Sequence, residues 1–448
     1  MPEFITQELK QHIEKRKWSD LKERLVNLPA PEIPEVLFMA EKHDRVLIFR
    51  SLSRHKSAEV FANLEPEQQD ALLHDLTDVE TRQLLSTLPP DDRTALLEEL
   101  PAPVTRRLLG LLSSSDLQEA RQLLGYPEES VGRLMTPDYV EVYPDWTVGK
   151  ALEHIRFKGK DSETINMVYV IDKAGKLLDD IRLRRIILSD PDKTLEELMD
   201  RTFASLSAFD DREEAVTMMQ RYDLAALPVV DSDGELIGIV TFDDVMDVAE
   251  EEATEDIHKS ASVAPLKMSY HRAGVFNLYN KRARWLVILV LLNLASAAVI
   301  GIFEEKLAGT IALLFFIPIL IGSGGNAGSQ ASTLVIRALV TGDIKLDQWF
   351  QTIGKELLVG LLLGLTLGML GGILGFLRGD FHWQLSVVVG TSMLSIVVVG
   401  NLVGMILPFI LAKVNIDPAV ASGPLITTIA DATGLFIYFS IASAIIGW

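Results

Sequence analysis

The chain has 448 residues, of which 48% are hydrophobic, no cysteine, and a formal net charge of −20 at pH 7. Residues 1–280 hold 33 Lys and Arg against 54 Asp and Glu, whereas residues 281–448 hold 9 against 8. This division excludes a single soluble globule, a disordered chain and a nucleic-acid binder that relies on a basic face, and the absence of cysteine excludes disulfide and thiol chemistry.

The N-terminal part is acidic and repetitive. Residues 1–17 lack the apolar core of a signal peptide, so residues 1–280 are expected to stay in the cytoplasm. An apolar pair recurs at a constant spacing, at Val36/Leu37, Ile48/Phe49, Val60/Phe61, Leu72/Leu73, Leu84/Leu85, Leu96/Leu97 and Leu108/Leu109. This period predicts one short helix per unit and a stacked helical solenoid.

A second repeat follows within residues 132–250. Segment 168–177 aligns with segment 227–236. Each segment is typical of a strand, a turn ending at Gly175 or Gly234, and a second strand, with a helix expected next. The acidic segment 243–256 that follows is compatible with a helix, and no basic residue occurs in it.

Five apolar stretches are long enough to span a membrane. They are residues 285–303, 307–340, 357–377, 385–411 and 419–446. The second is too long for one plain span, and we expect Pro318 and the glycine-rich run 322–330 to break it before a short helix continues to Ala338. Glycines at every fourth position, Gly360, Gly364, Gly368 and Gly372, predict close helix packing.

The orientation follows from basic residues near the ends of the spans. They flank alternate connections, at Lys281, Arg282, Arg284, Arg337, Lys345, Lys355 and Lys413. Because basic residues favour the cytoplasmic side, five spans predict a cytoplasmic N-terminus and place Trp448 outside.

Asp431 is a carboxylate well inside the fifth stretch. An ionised carboxylate at that depth costs at least ~2.5–3.5 kcal/mol, and no Lys or Arg lies in the middle of any span to pair with it. A protonated, packed Asp, a water-filled cavity and a bound cation remain open. We favour a cation pathway, with Thr427 one helical turn away on the same side. Oxygen ligands favour hard cations such as Mg²⁺, Ca²⁺ or Mn²⁺ over zinc or copper and select magnesium only weakly.

The order of these parts resembles the MgtE family of magnesium transport proteins, and the second repeat resembles a pair of CBS domains. The sharpest matching motifs are Gly324-Gly-Asn-Ala-Gly-Ser-Gln330 and Pro424-Leu-Ile-Thr-Thr-Ile-Ala-Asp431-Ala-Thr-Gly434. The resemblance covers almost the whole chain and implies a multidomain, mainly α protein. Its parts would be a helical N domain (1–130), tandem α/β CBS domains (131–250), an acidic connecting plug helix with linker (251–280), and a five-helix transmembrane pore domain (281–448).

The resemblance further implies a homodimeric, Mg²⁺-selective channel of the plasma (inner) membrane, closed by cytoplasmic Mg²⁺. Asp431 from both chains would form the pore site, a carbonyl near Thr427 would contribute, and Asn326 and Asp417 would lie near the pore. Beyond a second copy and membrane lipid, no protein or nucleic-acid partner is expected.

Regulatory Mg²⁺ would bind between the connecting helix and acids of the two cytoplasmic domains. The candidate ligands are Glu59, Asp91, Asp92, Gly132, Asp211, Asp223, Asp244, Asp247, Glu251, Glu252, Glu255 and Asp256. Repulsion between these acids would separate the domains at low Mg²⁺, and bound Mg²⁺ would compact them and close the pore. A merely solvated acidic face remains the alternative.

ATP is a second candidate ligand. The second CBS unit has Thr241 and Asp244 in the usual nucleotide-contacting layout, whereas the first has Asp179, Arg182 and Arg185 where Gly, Ser or Thr, and Asp are usual. An ordinary nucleotide site in the first unit is therefore not expected.

Three other classes of protein compete with the channel. A divalent-cation carrier would use the same Asp431. A membrane-embedded aspartyl protease would need a second deep carboxylate, which Asp417, at the end of a span, does not supply. A non-transporting Mg²⁺ receptor would not need a carboxylate at mid-membrane, so we expect a transporter and no enzyme.

Overall fold

The computed structural model describes residues 17–266, 273–307, 311–378 and 383–447, together with residues 9, 12, 13, 15 and 270. The chain forms two compact units, residues 1–250 and residues 251–448. Residues 308–310, near the start of the predicted second span, and parts of the predicted linker (267–269, 271–272) lie outside the described residues.

The N-terminal part of the first unit contains nine α-helices among its described residues. They are α1 (Trp18–Asn27), α2 (Ile33–Met39), α3 (Lys42–Ser51), α4 (Arg54–Ala62), α5 (Pro66–Asp75), α6 (Asp78–Leu85), α7 (Pro90–Glu99), α8 (Ala102–Leu109) and α9 (Ser114–Leu123). The starts of α3 to α9 have the same constant spacing as the apolar pairs, which confirms the predicted repeat. The apolar pairs from Val36/Leu37 to Leu96/Leu97 are buried in one core.

Local signals set where these helices begin. Ser53, Thr77 and Ser113 each accept a hydrogen bond from the backbone N–H three residues later, as helix-capping side chains do. Pro66 and Pro90 occupy the first turn of their helices, where a missing backbone N–H costs no helical hydrogen bond.

Two three-stranded sheets follow, one from each unit of the second repeat. The elements are α10 (Val131–Leu134), β1 (Glu141–Val142), α11 (Val148–Lys158), β2 (Met167–Ile171), β3 (Leu177–Arg182), α12 (Leu183–Ile187), β4 (Leu206–Ser207), α13 (Arg212–Tyr222), β5 (Ala226–Val230) and β6 (Leu236–Thr241). In each sheet the first strand pairs parallel with the second, and the second pairs antiparallel with the third. Strands β5 and β6 follow β2 and β3 at the same offset as the two aligned sequence segments, which confirms the predicted repeat.

The turns between these strands require glycine. Gly175 and Gly234 have φ angles of 85° and 80°, in the left-handed region that other residues rarely adopt. The acidic segment after β6 forms the helix α14 (Phe242–Ser260), which runs across the boundary between the two units.

The second unit is built from long apolar helices. They are α15 (Val275–Ile302), α16 (Glu304–Leu307), α17 (Ile317–Val340), α18 (Trp349–Arg378), α19 (Trp383–Lys413) and α20 (Gly423–Ile446), with 3₁₀ turns at Ile311–Phe316, Leu346–Gln348 and Pro418–Val420. Five described helical segments are long and apolar enough to cross a membrane, which confirms the predicted number of spans.

The predicted break in the second span was wrong. The run 322–330 lies inside the continuous helix α17, and the irregular turn Ile311–Phe316 precedes Pro318 instead. The glycines allow close helix contact: a Cβ atom at Gly400 of α19 would collide with the carbonyl oxygen of Gly324, and one at Gly404 would collide with that of Gly328. Glycine is therefore used here for packing, and the helical backbone bonds are kept.

The glycine stripe of α18 packs as predicted. A Cβ atom at Gly364 would lie 2.9 Å from the carbonyl oxygen of Leu394, and one at Gly368 would lie 2.8 Å from that of Gly390. Both distances are too short for a real side-chain carbon, so the stripe holds α18 directly against the backbone of α19.

Candidate functional site

Asp431 is the one carboxylate inside α20, all of whose residues the structure describes. It lies eight residues after Gly423, and at about 1.5 Å per residue it is about 12 Å from the start of the helix. The side chain is partly buried. No residue in the described part of the chain forms a hydrogen bond or ion pair with its carboxylate. The carboxylate is therefore uncompensated at a depth where charge is costly.

Thr427 lies one turn before Asp431, beside the glycine-rich helix α17. Its hydroxyl donates a hydrogen bond to the carbonyl of Pro424 over 2.9 Å. A Cβ atom at Gly325 would lie 3.0 Å from Thr427 Cγ2, so α17 and α20 are in close contact at this height. Asn326 follows Gly325 and is exposed on α17.

Asp417 belongs to a junction between the end of α14 and the turn that precedes α20. Lys259 Nζ lies 2.6 Å from Asp417 Oδ2 and also forms an ion pair with Glu255. Beside it, the buried hydroxyls of Ser262 and Ser422 are 2.6 Å apart. Two of the predicted metal-binding carboxylates thus share one ammonium group, which offsets one of their two negative charges.

The charge states at this junction follow from these contacts. Partial burial lowers the pKa of Lys259, but its hydrogen bonds to Asp417 and Glu255 outweigh that effect and raise the pKa above the ordinary value. Burial and the nearby Asp417 raise the pKa of Asp256. A metal ion at Glu255 or Asp417 would have to displace the lysine.

A second group of acids lies inside the first unit, and we call it the acidic cluster. It comprises Asp91 and Asp92 at the start of α7, Glu163 in the turn before β2, and Asp243, Asp244 and Asp247 at the start of α14. Asp91 is 8% exposed, and its Oδ1 is buried without a hydrogen-bond partner. The hydroxyl of Thr241 donates a hydrogen bond to Asp244 Oδ2.

The cluster members hinder one another's ionisation. Burial, Asp243 and Asp247 raise the pKa of Asp92 to about 6. For Asp244, burial and the surrounding acids outweigh the Thr241 hydrogen bond and raise the pKa to about 7. Burial and the neighbouring carboxylates also raise the pKa of Asp91 and of Glu163. Carboxylate oxygens are ligands that Mg²⁺ accepts, and a cation would relieve this repulsion.

The remaining predicted ligands are dispersed. Glu59 contacts His55 and forms an ion pair with Lys56, both on its own helix, and Asp211 accepts the backbone N–H of Glu213 as the cap of α13. Gly132 is buried against Tyr126, and Asp223 has a left-handed backbone at the end of α13. Among the described residues, no three His, Asp or Glu side chains converge closely enough to hold a metal ion as placed.

The structure also bears on the predicted nucleotide site at Thr241 and Asp244. Asp244 lies in the acidic cluster, which disfavours an anionic ligand at Thr241 and Asp244. A cavity of about 620 Å³ in the first unit is lined in part by Asn166, Arg182, Arg184 and Asp223, and neither Thr241 nor Asp244 lines it. Asp179 accepts backbone N–H groups of Asp180, Asp200 and Arg201, so this unusual residue of the first repeat is structural.

Glu163 is a residue that sequence reasoning missed. It follows α11 in a polar turn, and the sequence holds no pattern that links it to α7 or α14. The acids of α7 and α14 were predicted from their charge, whereas Glu163 joins them only through tertiary packing.

The cluster predicts a pH-dependent stability of the first unit. A raised folded-state pKa means that stability is lost as pH rises from about 4, where the unfolded carboxyl ionises, to about 7, where the folded one does. Asp244→Asn should therefore raise the temperature at which a protease cuts residues 1–250 of the metal-free, full-length protein at about pH 8. The gain should shrink toward pH 4. Glu250→Gln, an acid on the same helix, is the control, and an equal gain there would contradict the assignment.

Comparison with known proteins assigns these parts to one family. The MgtE intracellular N domain model matches residues 28–129, the CBS domain model matches residues 131–190 and 195–251, and the MgtE divalent cation transporter model matches residues 317–441. The magnesium transporter MgtE of Thermus thermophilus is 42% identical over 324 residues, or 72% of each chain. The chain belongs to the MgtE family. The Bacillus subtilis magnesium transporter MgtE is 34% identical over 337 residues, which cover 74% of this chain and 73% of that protein.

Two solved structures each match about half of the chain. A crystal structure of the cytosolic domain of the Mg²⁺ channel MgtE in complex with ATP is 33% identical, with a TM-score of 0.52, and covers 54% of this chain and 99% of that chain. A crystal structure of the soluble part of a magnesium transporter is 28% identical, with a TM-score of 0.53, and the match covers 56% of this chain and 99% of that chain. MgtE proteins are membrane transporters, and the helical N-terminal domain, CBS domains and membrane helices predicted for this chain are confirmed.

Proposed function

We propose that this chain moves Mg²⁺ across the plasma membrane along a pathway at Asp431, and that cytoplasmic Mg²⁺ closes the pathway. The observation that carries the pathway is the carboxylate of Asp431, uncompensated about 12 Å inside α20. A passing cation supplies the missing charge. The magnesium transporters among the relatives support Mg²⁺ as the cargo.

The pathway requires a second copy of the chain. Mg²⁺ dehydrates reluctantly and keeps several waters, so one carboxylate and a few carbonyls suit a mostly hydrated ion. Two chains related by a two-fold axis would bring two Asp431 carboxylates, with the nearby Thr427 carbonyls, to one ion. Asn326, exposed on α17, is available to line the same path.

The orientation rests on the basic ends of the membrane helices. Lys281 lies near the start of α15, Arg337 near the end of α17, and Lys413 ends α19. In helices that cross alternately, these ends share one side of the membrane. Basic residues favour the cytoplasmic side, so residues 1–250 would be cytoplasmic and the end of α20 outside. Trp448, which was expected outside, lies beyond the described residues.

The sensor is the acidic cluster. Without a cation, ionised Asp92, Glu163 and Asp244 repel and loosen the contact between α7, the turn before β2, and α14. Bound Mg²⁺ would stabilise the compact arrangement, and it would close the pathway only to the extent that it binds the closed state more tightly. The ion pair of Lys259 with Asp417 makes Glu255 and Asp256 weaker candidates than the cluster.

ATP is proposed as a ligand of the 620 Å³ cavity rather than of Thr241 and Asp244. Arg182 and Arg184 offer positive charge to its phosphates, and the cytosolic domain of a relative was crystallised with ATP. Equilibrium dialysis with ATP tests this assignment by comparing the full-length protein with a variant in which Arg182 and Arg184 are replaced by alanine. Weaker ATP binding by the variant is expected.

The function is tested by recording from inside-out patches with Mg²⁺ as the only permeant cation. Cytoplasmic Mg²⁺ is stepped from zero to millimolar. We expect unitary currents that vanish as cytoplasmic Mg²⁺ rises. Mg²⁺ uptake into vesicles without any unitary current would establish the alternative, a divalent-cation carrier that uses the same Asp431.

A further inference from the structure

Two polar residues inside the membrane helices contact each other away from Asp431. Asn401 lies in α19, three turns before its end at Lys413, and is only 2% exposed. Its Nδ2 group donates one hydrogen bond to the backbone carbonyl of Glu356 and one to Glu356 Oε2, both over 2.9 Å. Both amide hydrogens of a buried asparagine are thus used by one residue of α18.

The surface of α18 is shaped for this contact. Gly360 lies one turn after Glu356, and a Cβ atom there would be only 3.3 Å from Asn401 Nδ2. In the described part of the chain, no Lys, Arg or His forms an ion pair with Glu356. A polar group in a membrane helix is costly unless it is hydrogen-bonded. The hydrogen bonds between Asn401 and Glu356 are therefore favoured over arrangements that leave either side chain without a partner.

The same turn of α19 also contacts the helix that lies beside the proposed pathway. Gly400, the residue before Asn401, lies so close to Gly324 of α17 that a Cβ atom would collide with the Gly324 carbonyl oxygen. On α17 the next residue, Gly325, packs on Thr427 of α20. A continuous series of contacts therefore runs from Glu356 through α19 and α17 to the turn before Asp431.

We propose that Asn401 and Glu356 are positioning residues for the ion pathway. Their two hydrogen bonds fix the position of α19 along α18. At that position the glycines of α19 contact α17, and α17 in turn packs against α20. The Glu356 carboxylate serves as a hydrogen-bond acceptor and binds no permeating ion. This inference rests on the proposed pathway at Asp431.

The test compares Mg²⁺ uptake by full-length variants in vesicles at saturating external Mg²⁺. Asn401→Leu keeps the size and removes both donors, so uptake should fall by about tenfold or more. Glu356→Gln keeps an acceptor and should stay within about twofold of the parent. Asn401→Asp places acceptors against acceptors and should be nearly inactive. Adding Glu356→Gln to it supplies a donor and should restore part of the activity.

Two controls separate positioning from loss of fold. Asn293→Leu makes the same substitution at an exposed asparagine of α15 and should leave uptake unchanged. Protection of residues 1–250 from protease by Mg²⁺ should be the same in every variant, because the sensor is untouched.

Three outcomes would overturn the proposal. One is normal uptake by Asn401→Leu. Another is loss of uptake in Glu356→Gln, which keeps a hydrogen-bond acceptor, because the charge of Glu356 itself would then be the functional group. The third is a double variant no better than Asn401→Asp.

The failure of the pathway proposal is distinguishable. If Asp431→Asn transports normally, the pathway is wrong whatever happens at Asn401. A double-mutant cycle between residues 356 and 401, measured on the thermal stability of the purified full-length protein, still tests the hydrogen bonds: a coupling between the two sites supports them, and additive effects contradict them.

Discussion

Asp431→Asn is expected to abolish Mg²⁺ conduction. The substitution keeps the shape of the side chain and removes the charge that a divalent cation meets inside α20. At an effective dielectric constant of about 20, each pair of unit charges about 4 Å apart contributes about 4 kcal/mol. Since ~1.4 kcal/mol corresponds to a tenfold change, loss of this attraction should lower the Mg²⁺ current by about a hundredfold or more. Unitary current in inside-out patches is the measurement.

The same substitution should make the membrane domain more stable. Inserting a carboxylate at this depth costs at least ~2.5–3.5 kcal/mol, and asparagine removes the charged part of that cost. The purified variant should therefore unfold at a higher temperature while it conducts less. Asp343→Asn, at an exposed carboxylate between α17 and α18, is the matched control and should change neither quantity. Normal current in Asp431→Asn would refute the pathway.

Neutralising the acidic cluster should weaken the closure of the pathway by cytoplasmic Mg²⁺. In Asp92→Asn/Glu163→Gln/Asp244→Asn, one acid from each contributing segment loses its charge. Repulsion between the segments then falls, so the open probability at zero Mg²⁺ should be lower than in the parent. The difference in Mg²⁺ affinity between the open and closed states falls as well. The Mg²⁺ concentration that halves the open probability should rise by about tenfold or more, which corresponds to ~1.4 kcal/mol. Unitary conductance should not change.

The control for this prediction has the same net charge. Glu153→Gln/Asp192→Asn/Asp233→Asn neutralises three exposed acids of the same unit, none of which is among the acids that raise the pKa values of the cluster members. If the two triple variants shift the closing concentration equally, Mg²⁺ acts by screening the overall negative charge and the cluster is not the sensor. A shift confined to the cluster variant supports the local site.

The regular parts of this fold were predictable because each is a local pattern. Helices α3 to α9 begin at the same regular spacing as the apolar pairs, because each unit must bury its pair against its neighbours. The strands of the two sheets repeat at the offset of the aligned segments for the same reason. The five membrane helices follow from length and hydropathy, because a span must satisfy its own backbone within an apolar segment.

Glycine could not be interpreted from the sequence alone. The stripe in α18 packs closely, as its spacing predicted, but the run 322–330 was expected to break a helix and does not. Glycine permits both a break and a close helix crossing, and the choice depends on the opposing surface. Here Gly400 and Gly404 of α19 offer that surface, and they lie two membrane helices further along the chain.

The sequence by itself determined the order of the domains and the number of membrane spans, and it predicted Asp431 as a candidate pathway residue, because composition, period and an intramembrane charge are properties of single segments. Only the tertiary structure decided which acids meet. It added Glu163 to Asp92 and Asp244, paired Lys259 with Asp417, and joined Asn401 to Glu356. Asn401 and Glu356 are 45 positions apart in the sequence, and Lys259 and Asp417 are 158 positions apart. Packing between separate elements brings these residues together, and no local sequence pattern encodes that packing.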